Sequence, residues 1–541
     1  MLSEFILVCV LCLVSWKAFQ RFFLLSPIDN IPGPAAKSWL GVLPQLFNYN
    51  AWAFHDELIL KYGSVVRIKA AFGERQLYVS DPLALHHIVV KDQHIYEETS
   101  GFIGLNNLMF GPGLLSTLGD THRKQRKILN PVFSSARMRE MVPIFHQVTK
   151  KLHDALALRV GKGPREARID VLSWMSRTAL ELLGQSGFGH SFDSLTEDEE
   201  THPFATAVKR LEPATGKIHL ARTYLLPIVK NIGTPSFRRH LVNLIPYKTL
   251  HEIRDVADVM HQTSLEIYHA RKAAVTEGNS MLSMQIAQGK DIMSVLLKAN
   301  MEADDADKLS EAELIGQIAT LTFAATDTTS TAMSRILLLL ATYPHVQDKL
   351  RQELRTALNN KEQLTYDDLN DLVYLDAICR ETLRLYPPVS TMSRTTRKDV
   401  VLPLNTPIRG LDGEEISQIQ IPNNMNVIIS ILGCNRDPTL WGQDSYEWKP
   451  ERWMRPLPES VTNAHVPGVY SNLMTFLGGG RACIGFKFSQ LEMKVVLSVL
   501  VNSFKFSLTN KEVVWQMNTI STPTVRGQTG TRLPLVVELS R

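Results

Sequence analysis

From about residue 120 to 385, apolar residues recur at the i, i+3, i+4 spacing of a buried helix face, and charged stretches such as 196–200 and 303–306 interrupt them. This pattern predicts a series of long helices. Before it, residues 64–70 and 76–79 alternate or cluster apolar side chains around Gly73, which predicts a hairpin in a small sheet. Short strands are expected again around 400–402, 426–431 and 533–539, and one long helix over 485–501. The fold class is therefore mostly α with small β-sheets. No internal repeat or low-complexity stretch divides the chain.

Two apolar runs raise the question of a membrane. In residues 314–340 the segment 336–341 is wholly apolar, but several threonines, Ser330, Ser334, Asp327 and Arg335 interrupt the rest, which fits a helix crossing the core of a large protein. The run 5–16, bounded by Glu4 and Lys17, is short for a bilayer core, which takes roughly 17–25 apolar residues. Tilting, local thinning and snorkelling of Lys17 and Arg21 extend its reach, and the basic residues after it put its C-terminal side in the cytosol. A cleaved signal peptide is the competing reading, opposed by the acidic start and the missing small-residue cleavage site. The expected organisation is an N-terminal membrane anchor over 1–25, a proline-rich hinge over 26–36 with Pro27, Pro32 and Pro34, and a body over 37–541.

A net charge of +4 over 541 residues, with no Lys/Arg tract, excludes nucleic-acid binding as a main activity. Cys9, Cys12, Cys379, Cys434 and Cys483 show neither metal-ligand spacing nor a disulfide framework, which fits a reducing compartment. The absence of any Asn-x-Ser/Thr sequon agrees with a body facing the cytosol.

Cys483 stands apart from the other cysteines because it lies in FLGGGRACIG, residues 476–485. Gly478, Gly479 and Gly480 allow close approach to a flat cofactor, and Gly485 admits that cofactor against the helix that follows. Arg481 supplies a fixed cation suited to a bidentate grip on a carboxylate. A lone cysteine in a glycine-rich turn is more often inert and buried. Here, however, Phe476, Gly479, Arg481, Cys483 and Gly485 together resemble the haem-binding signature of the cytochrome P-450 family. That resemblance implies haem b whose iron takes an axial thiolate from Cys483, with electron density pushed toward O–O cleavage. It also favours one large domain in the family's fold behind the anchor.

Four further constellations match in the family's order. Ala324-Ala325-Thr326-Asp327-Thr328-Thr329 sets an acid beside an alcohol in an apolar helix, and oxygen activation needs a positioned proton supply. The family commonly has glycine where Ala325 stands, and threonines in helices also simply bond back to their own backbone. Glu381 and Arg384 form an i, i+3 pair before the stop at Pro387-Pro388, and Arg452 in Pro450-Glu451-Arg452-Trp453 offers a third, structural partner. Arg394 and Arg126 stand where the family places arginines on a haem propionate. His122 occupies the position of a tryptophan that usually shares that task. Residues 111–116 and 130–133, with the late Pro523-Thr524-Val525, look most like membrane-bound fungal members.

The resemblance implies a monooxygenase that inserts one oxygen atom of O2 into an apolar substrate (a terpenoid, sterol, fatty or aromatic molecule), the other leaving as water. It would be held on the endoplasmic reticulum membrane by a single-pass anchor. Because the chain has neither a dinucleotide-binding G-x-G-x-x-G after a strand nor a phosphate-cradling loop, NADPH would be read by a separate flavoprotein reductase. Arg123, Lys124, Lys127 and Lys487 are candidate docking cations for it. Substrate walls are expected from 102–115, 224–228, 321–325, 389–392 and 519–522. The rival readings are a haem-thiolate isomerase or dehydratase working without reductase, and a non-catalytic haem- or lipid-binding protein. Neither needs the Asp327–Thr328 pair.

Overall fold

The computed structural model describes residues 26–540 apart from 162–165, 197–201, 278–290, 306 and 360. The expected anchor over 1–25 lies outside the described residues. Among these, no helix is long and apolar enough to cross a membrane. The described residues pack as two compact units, each built from discontinuous segments: those within 26–97, 391–445 and 458–481 form the first, and those within 98–390, 446–457 and 482–540 the second.

The first unit carries the larger sheet. Strands β1 (Val65–Lys69), β2 (Arg75–Val79), β5 (Thr391–Thr396) and β8 (Asn426–Ser430) join β3 (Tyr96–Glu98) in the order β1-β2-β8-β5-β3. The predicted hairpin is present, with Val65 opposite Val79 in antiparallel register, while β2 and β8 run parallel. Val66, Ile68, Tyr78 and Ile428 form its core with Leu58 and Val42, since β-branched and aromatic side chains suit a pleated, half-buried surface. The Tyr78 hydroxyl inside this core is satisfied by Ser430 Oγ and His55 Nδ1, both at 2.7 Å. β8 stops at Ser430 because that side chain caps the next helix, accepting from the Gly433 N–H at 3.0 Å. β6 (Val400–Arg409) runs well past the apolar 400–402 and pairs with β7 (Glu415–Ile421) as a separate two-stranded ribbon. The proline-rich segment expected as a hinge is tied to the sheet: Ile28 and Ile31 are buried, and Pro32 O accepts from Arg67 N at 2.9 Å.

The second unit is helical. Its main elements are α1 (Gly119–Leu129), α2 (Ser135–Gly161), α3 (Val171–Leu183), α4 (Pro203–Lys217), α5 (Lys248–Glu277), α6 (Glu311–Thr342), α7 (Val373–Leu385) and α8 (Phe486–Ser503). A capping box starts α6, with Ser310 and Glu313 satisfying each other's backbone N–H groups. At 32 residues the helix spans about 48 Å. Its threonines do bond back, Thr322 to Ile318 O and Thr326 to Thr322 O, each at 2.7 Å. That satisfies their hydroxyls inside a protein core. α6 packs on α3, α5 and α8, and α8 packs on α2 with Phe145 edge-on to Phe488.

Two small sheets complete this unit, β10 (Val513–Gln516) with β11 (Thr522–Val525), and the ribbon β4-β12-β9. In the latter, β12 (Pro534–Leu539) is central, antiparallel to both β4 (Glu166–Asp170) and β9 (Phe504–Leu508), with Leu535 and Val537 fully buried. The brief, charged β4 carries little apolar alternation, so nothing local announced it.

Candidate functional site

In the second unit, α6 is buried almost continuously from Glu313 to Leu337, and its half-exposed positions there are Phe323, Ala324, Ala325, Asp327, Thr328 and Arg335. The acid–alcohol pair therefore sits in a stretch, 323–328, where this core helix opens. Burial raises the Asp327 carboxyl to about 6, and Lys209 on α4 opposes that shift. Sequence reasoning missed Lys209, because only the packing of α4 on α6 brings it near. Thr328 Oγ1 donates to Ala324 O at 2.8 Å, which leaves its oxygen free to accept.

Of the described cysteines, Cys379 and Cys434 are buried and Cys483 is exposed. Desolvation pushes the Cys379 thiol up to about 12 and the Cys434 thiol higher still, so neither ionises near neutrality. Cys483 keeps accessible surface yet sits among enough protein that desolvation raises its pKa. The Gly485 N–H and the Arg126 guanidinium both pull the other way. Arg126 holds this stretch of loop, donating from Nη1 to Ala482 O at 2.5 Å, and α8 begins three residues after the sulfur. A helix N-terminus and a cation beside a thiol both favour the thiolate. A Cβ on Gly485 would meet only Phe133, at 4.0 Å, so a flat group can approach that face of the loop. His122, on α1 with Arg126, is buried. These donors suit a thiolate-ligated haem.

The remaining signature residues belong to the first unit, and there the glycines have a different cause from the one expected. Added Cβ atoms would lie 1.7 Å from Pro467 O at Gly478 and 1.8 Å from Val89 O at Gly479, where φ is +67°. The loop is shaped first by its own protein backbone. Gly480 N donates to Gln93 Oε1 at 2.7 Å, and Phe476 is buried edge-on to Tyr470. Arg481 is half-buried, and Arg394 on β5 is buried, donating to Ser393 O at 3.0 Å.

Glu381 and Arg384 on α7 are fully buried, the guanidinium donating through Nε at 2.9 Å and Nη2 at 2.8 Å. Arg452 Nε joins at 3.4 Å as expected. Sequence spacing gave no sign of the Lys449 N–H at 3.1 Å or the Trp453 Nε1 at 2.9 Å, which complete the carboxylate's shell. Among the proposed docking cations, Arg123 pairs with Asp120, Lys127 with Asp307, and Lys124 reaches Lys308 O and Glu313. Lys487 donates to Ser135 Oγ.

The family model described as cytochrome P450 matches residues 31–530. Cytochrome P450 monooxygenase 91 of Postia placenta is 50% identical, covering 99% of this chain and 98% of its own length. Cytochrome P450 monooxygenase 212 of the same fungus is 47% identical over 99% of both chains. Ganoderic acid synthetase of Ganoderma lucidum is 43% identical over 95% of this chain and 94% of its own. With its thiol loop, its opened core helix and these full-length relationships, the chain belongs to the cytochrome P450 family of haem-thiolate monooxygenases.

Proposed function

We propose that Cys483 would supply the thiolate ligand of a haem b group, and that the enzyme oxidises an apolar, membrane-partitioning substrate with electrons from NADPH delivered by a separate flavoprotein reductase. One observation carries the assignment. The exposed thiol with its Arg126 cation and the opened Asp327–Thr328 stretch of α6 lie in the same compact unit. When bound, the haem supplies a thiolate-ligated iron at which O–O cleavage is favoured. His122, Arg126, Arg394 and Arg481 would hold its carboxylates, while Phe476, Gly479 and Gly485 would shape the loop.

Asp327, poised near neutrality, takes protons from solvent and passes them to Thr328 Oγ1, which must release Ala324 O to donate onward. The half-exposed Phe323, Ala324 and Ala325 leave an apolar wall beside that hydroxyl. An apolar substrate (a terpenoid, sterol, fatty or aromatic molecule) suits such a wall, and one relative is named for ganoderic acid synthesis. Residues 1–25 anchor the protein in the endoplasmic reticulum membrane. The exposed Leu225, Ile228, Phe237 and Leu241 add apolar contact with lipid.

The test is a reduced carbon monoxide spectrum combined with product formation in reconstituted membranes. A thiolate-type band that disappears in Cys483→Ala, and oxidation that needs both reductase and NADPH, support the reading. A Cys483→Ala protein that keeps the band and the product overturns the ligand assignment.

A further inference from the structure

The stretch of chain that leads into Cys483 is gripped at both ends by side-chain amides from elsewhere in the first unit. At its start, Asn435 Oδ1 accepts from Met474 N and Asn435 Nδ2 donates to Thr475 Oγ1, each at 2.8 Å. Asn435 is only 1% exposed, and Met474 and Thr475 directly precede Phe476. At its end, Gln93 Oε1 accepts from Gly480 N at 2.7 Å, next to the Val89 carbonyl that demands glycine at 479. Arg481 follows Gly480 directly, and Cys483 stands two positions further on.

Both amides are themselves held. Asn435 lies in the short helix Ile431–Arg436, whose cap Ser430 accepts from Gly433 N at 3.0 Å and donates to the Tyr78 hydroxyl at 2.7 Å. Burial lowers the His55 pKa to about 4, so its ring is neutral near pH 7. Leu46 O can only accept, so His55 Nε2 donates to it at 3.0 Å and Nδ1 accepts from the Tyr78 hydroxyl at 2.7 Å. His55, Tyr78 and Ser430 thus form a buried, fully satisfied row behind the helix that carries Asn435. Gln93 follows the turn His87–Lys91, which is closed by Asp92 N donating to His87 O at 2.8 Å and by His87 Nδ1 donating to Asp92 Oδ2 at 2.7 Å. We propose that Asn435 and Gln93 are positioning residues that pin the loop 474–481 in its haem-ready shape, so that Arg481 and Cys483 would meet the cofactor without a further ordering cost. Their effect on haem rests on the reading of Cys483 given above, whereas the pinning of the loop does not.

Two measurements on the full-length, haem-loaded protein test this. Hydrogen exchange in the peptide covering 474–481 reads the pinning, and the division of the reduced carbon monoxide spectrum between thiolate-type and thiol-type bands reads its effect on the ligand. Asn435→Ala, Thr475→Val and Gln93→Leu should each speed exchange there by about two- to tenfold, as the loss of one net hydrogen bond allows. Because Gln93 is exposed, Gln93→Leu should leave exchange elsewhere unchanged. Gln93→Glu still offers an oxygen to Gly480 N and should restore the slow exchange. Asn435→Ala combined with Thr475→Val should be no faster than Asn435→Ala alone, because the second change removes a bond already lost. The thiol-type fraction should rise with exchange in Asn435→Ala and Gln93→Leu, and fall back in Gln93→Glu. Unchanged exchange in Thr475→Val and Gln93→Leu overturns the proposal, as does a Gln93→Glu protein that exchanges as fast as Gln93→Leu. Faster exchange with an unaltered band ratio overturns the effect on the ligand. If Asn435→Ala does not fold, Thr475→Val and the two Gln93 variants decide the matter. A Cys483→Ala protein that keeps the thiolate band removes the ligand reading, and exchange then still decides whether the loop is pinned.

Discussion

Replacing Glu381 by Gln changes one oxygen for an amide nitrogen at nearly constant volume. Oε1 accepts from Arg384 Nη2, Lys449 N and Arg452 Nε, and Oε2 from Arg384 Nε and Trp453 Nε1. Whichever position the amide nitrogen takes, at least two donors then point at a donor. Two guanidinium groups also lose the buried carboxylate they share. Summing roughly 1.5–3 kcal/mol for each charge-assisted bond would overshoot, since the five bonds share one group and are not independent. Breaking a buried ion pair from one side costs about 3–5 kcal/mol. At about 1.4 kcal/mol per factor of ten, that is a rise of roughly two to three and a half decades in the population that has lost its fold. The assay is urea titration of the holoenzyme, followed by the thiolate carbon monoxide band and by far-ultraviolet circular dichroism. A cost below about 1 kcal/mol would place this cluster with screened surface pairs and refute the reasoning. The exposed Arg123–Asp120 pair, with side chains 80% and 92% accessible, serves as the control and should show no measurable effect on disruption.

Thr328→Ala should keep substrate binding and haem reduction while diverting electrons to hydrogen peroxide, read as the ratio of peroxide to product. The coupling of the unaltered enzyme should change with an inflection near pH 6 that Asp327→Asn abolishes, because the folded Asp327 carboxyl is raised to about 6. Between about pH 4 and that value the folded protein holds a proton that the unfolded chain has released, so this group's contribution to stability falls as pH rises through the window and is flat above it. Gly479→Ala should fail to accumulate, since its Cβ would stand 1.8 Å from Val89 O at φ +67°. Gly485→Leu should fold but bind less haem, measured as the ratio of haem absorbance to protein. Deleting residues 1–25 should move the protein toward the soluble fraction with its carbon monoxide spectrum intact, which fractionation and difference spectra will check.

Features governed by neighbours in sequence were legible. α6 was readable over 314–340 because its apolar run is long and many of its polar interruptions are hydroxyls that bond back one turn, whereas its start at Ser310 and Glu313 was not read from the sequence. Glu381 and Arg384 were readable as one turn of one helix. What escaped was set by distant backbone. Gly478 and Gly479 were read as facing a cofactor, whereas the carbonyls of Pro467 and Val89 already demand them. The two units share their chain through several crossings with no linker composition to mark them. The docking cations looked free in sequence because Asp307 and Glu313, which engage Lys127 and Lys124, lie far along the chain.

The placement of β12 has a consequence for synthesis. As the middle strand of its sheet and the last strand among the described residues, it supplies both β4 and β9 with their partner. Leu533, which introduces it, donates to an Asp170 oxygen 363 residues back. At about 5–20 residues per second, β4 therefore waits on the order of 20–70 s after its own translation before an edge can be covered. Until residues 534–539 clear the ribosome, two unpaired edges stand open to other chains. Chaperone demand should therefore persist until β12 is made, and a chain that stops before Pro534 should aggregate even with every haem-binding residue already made.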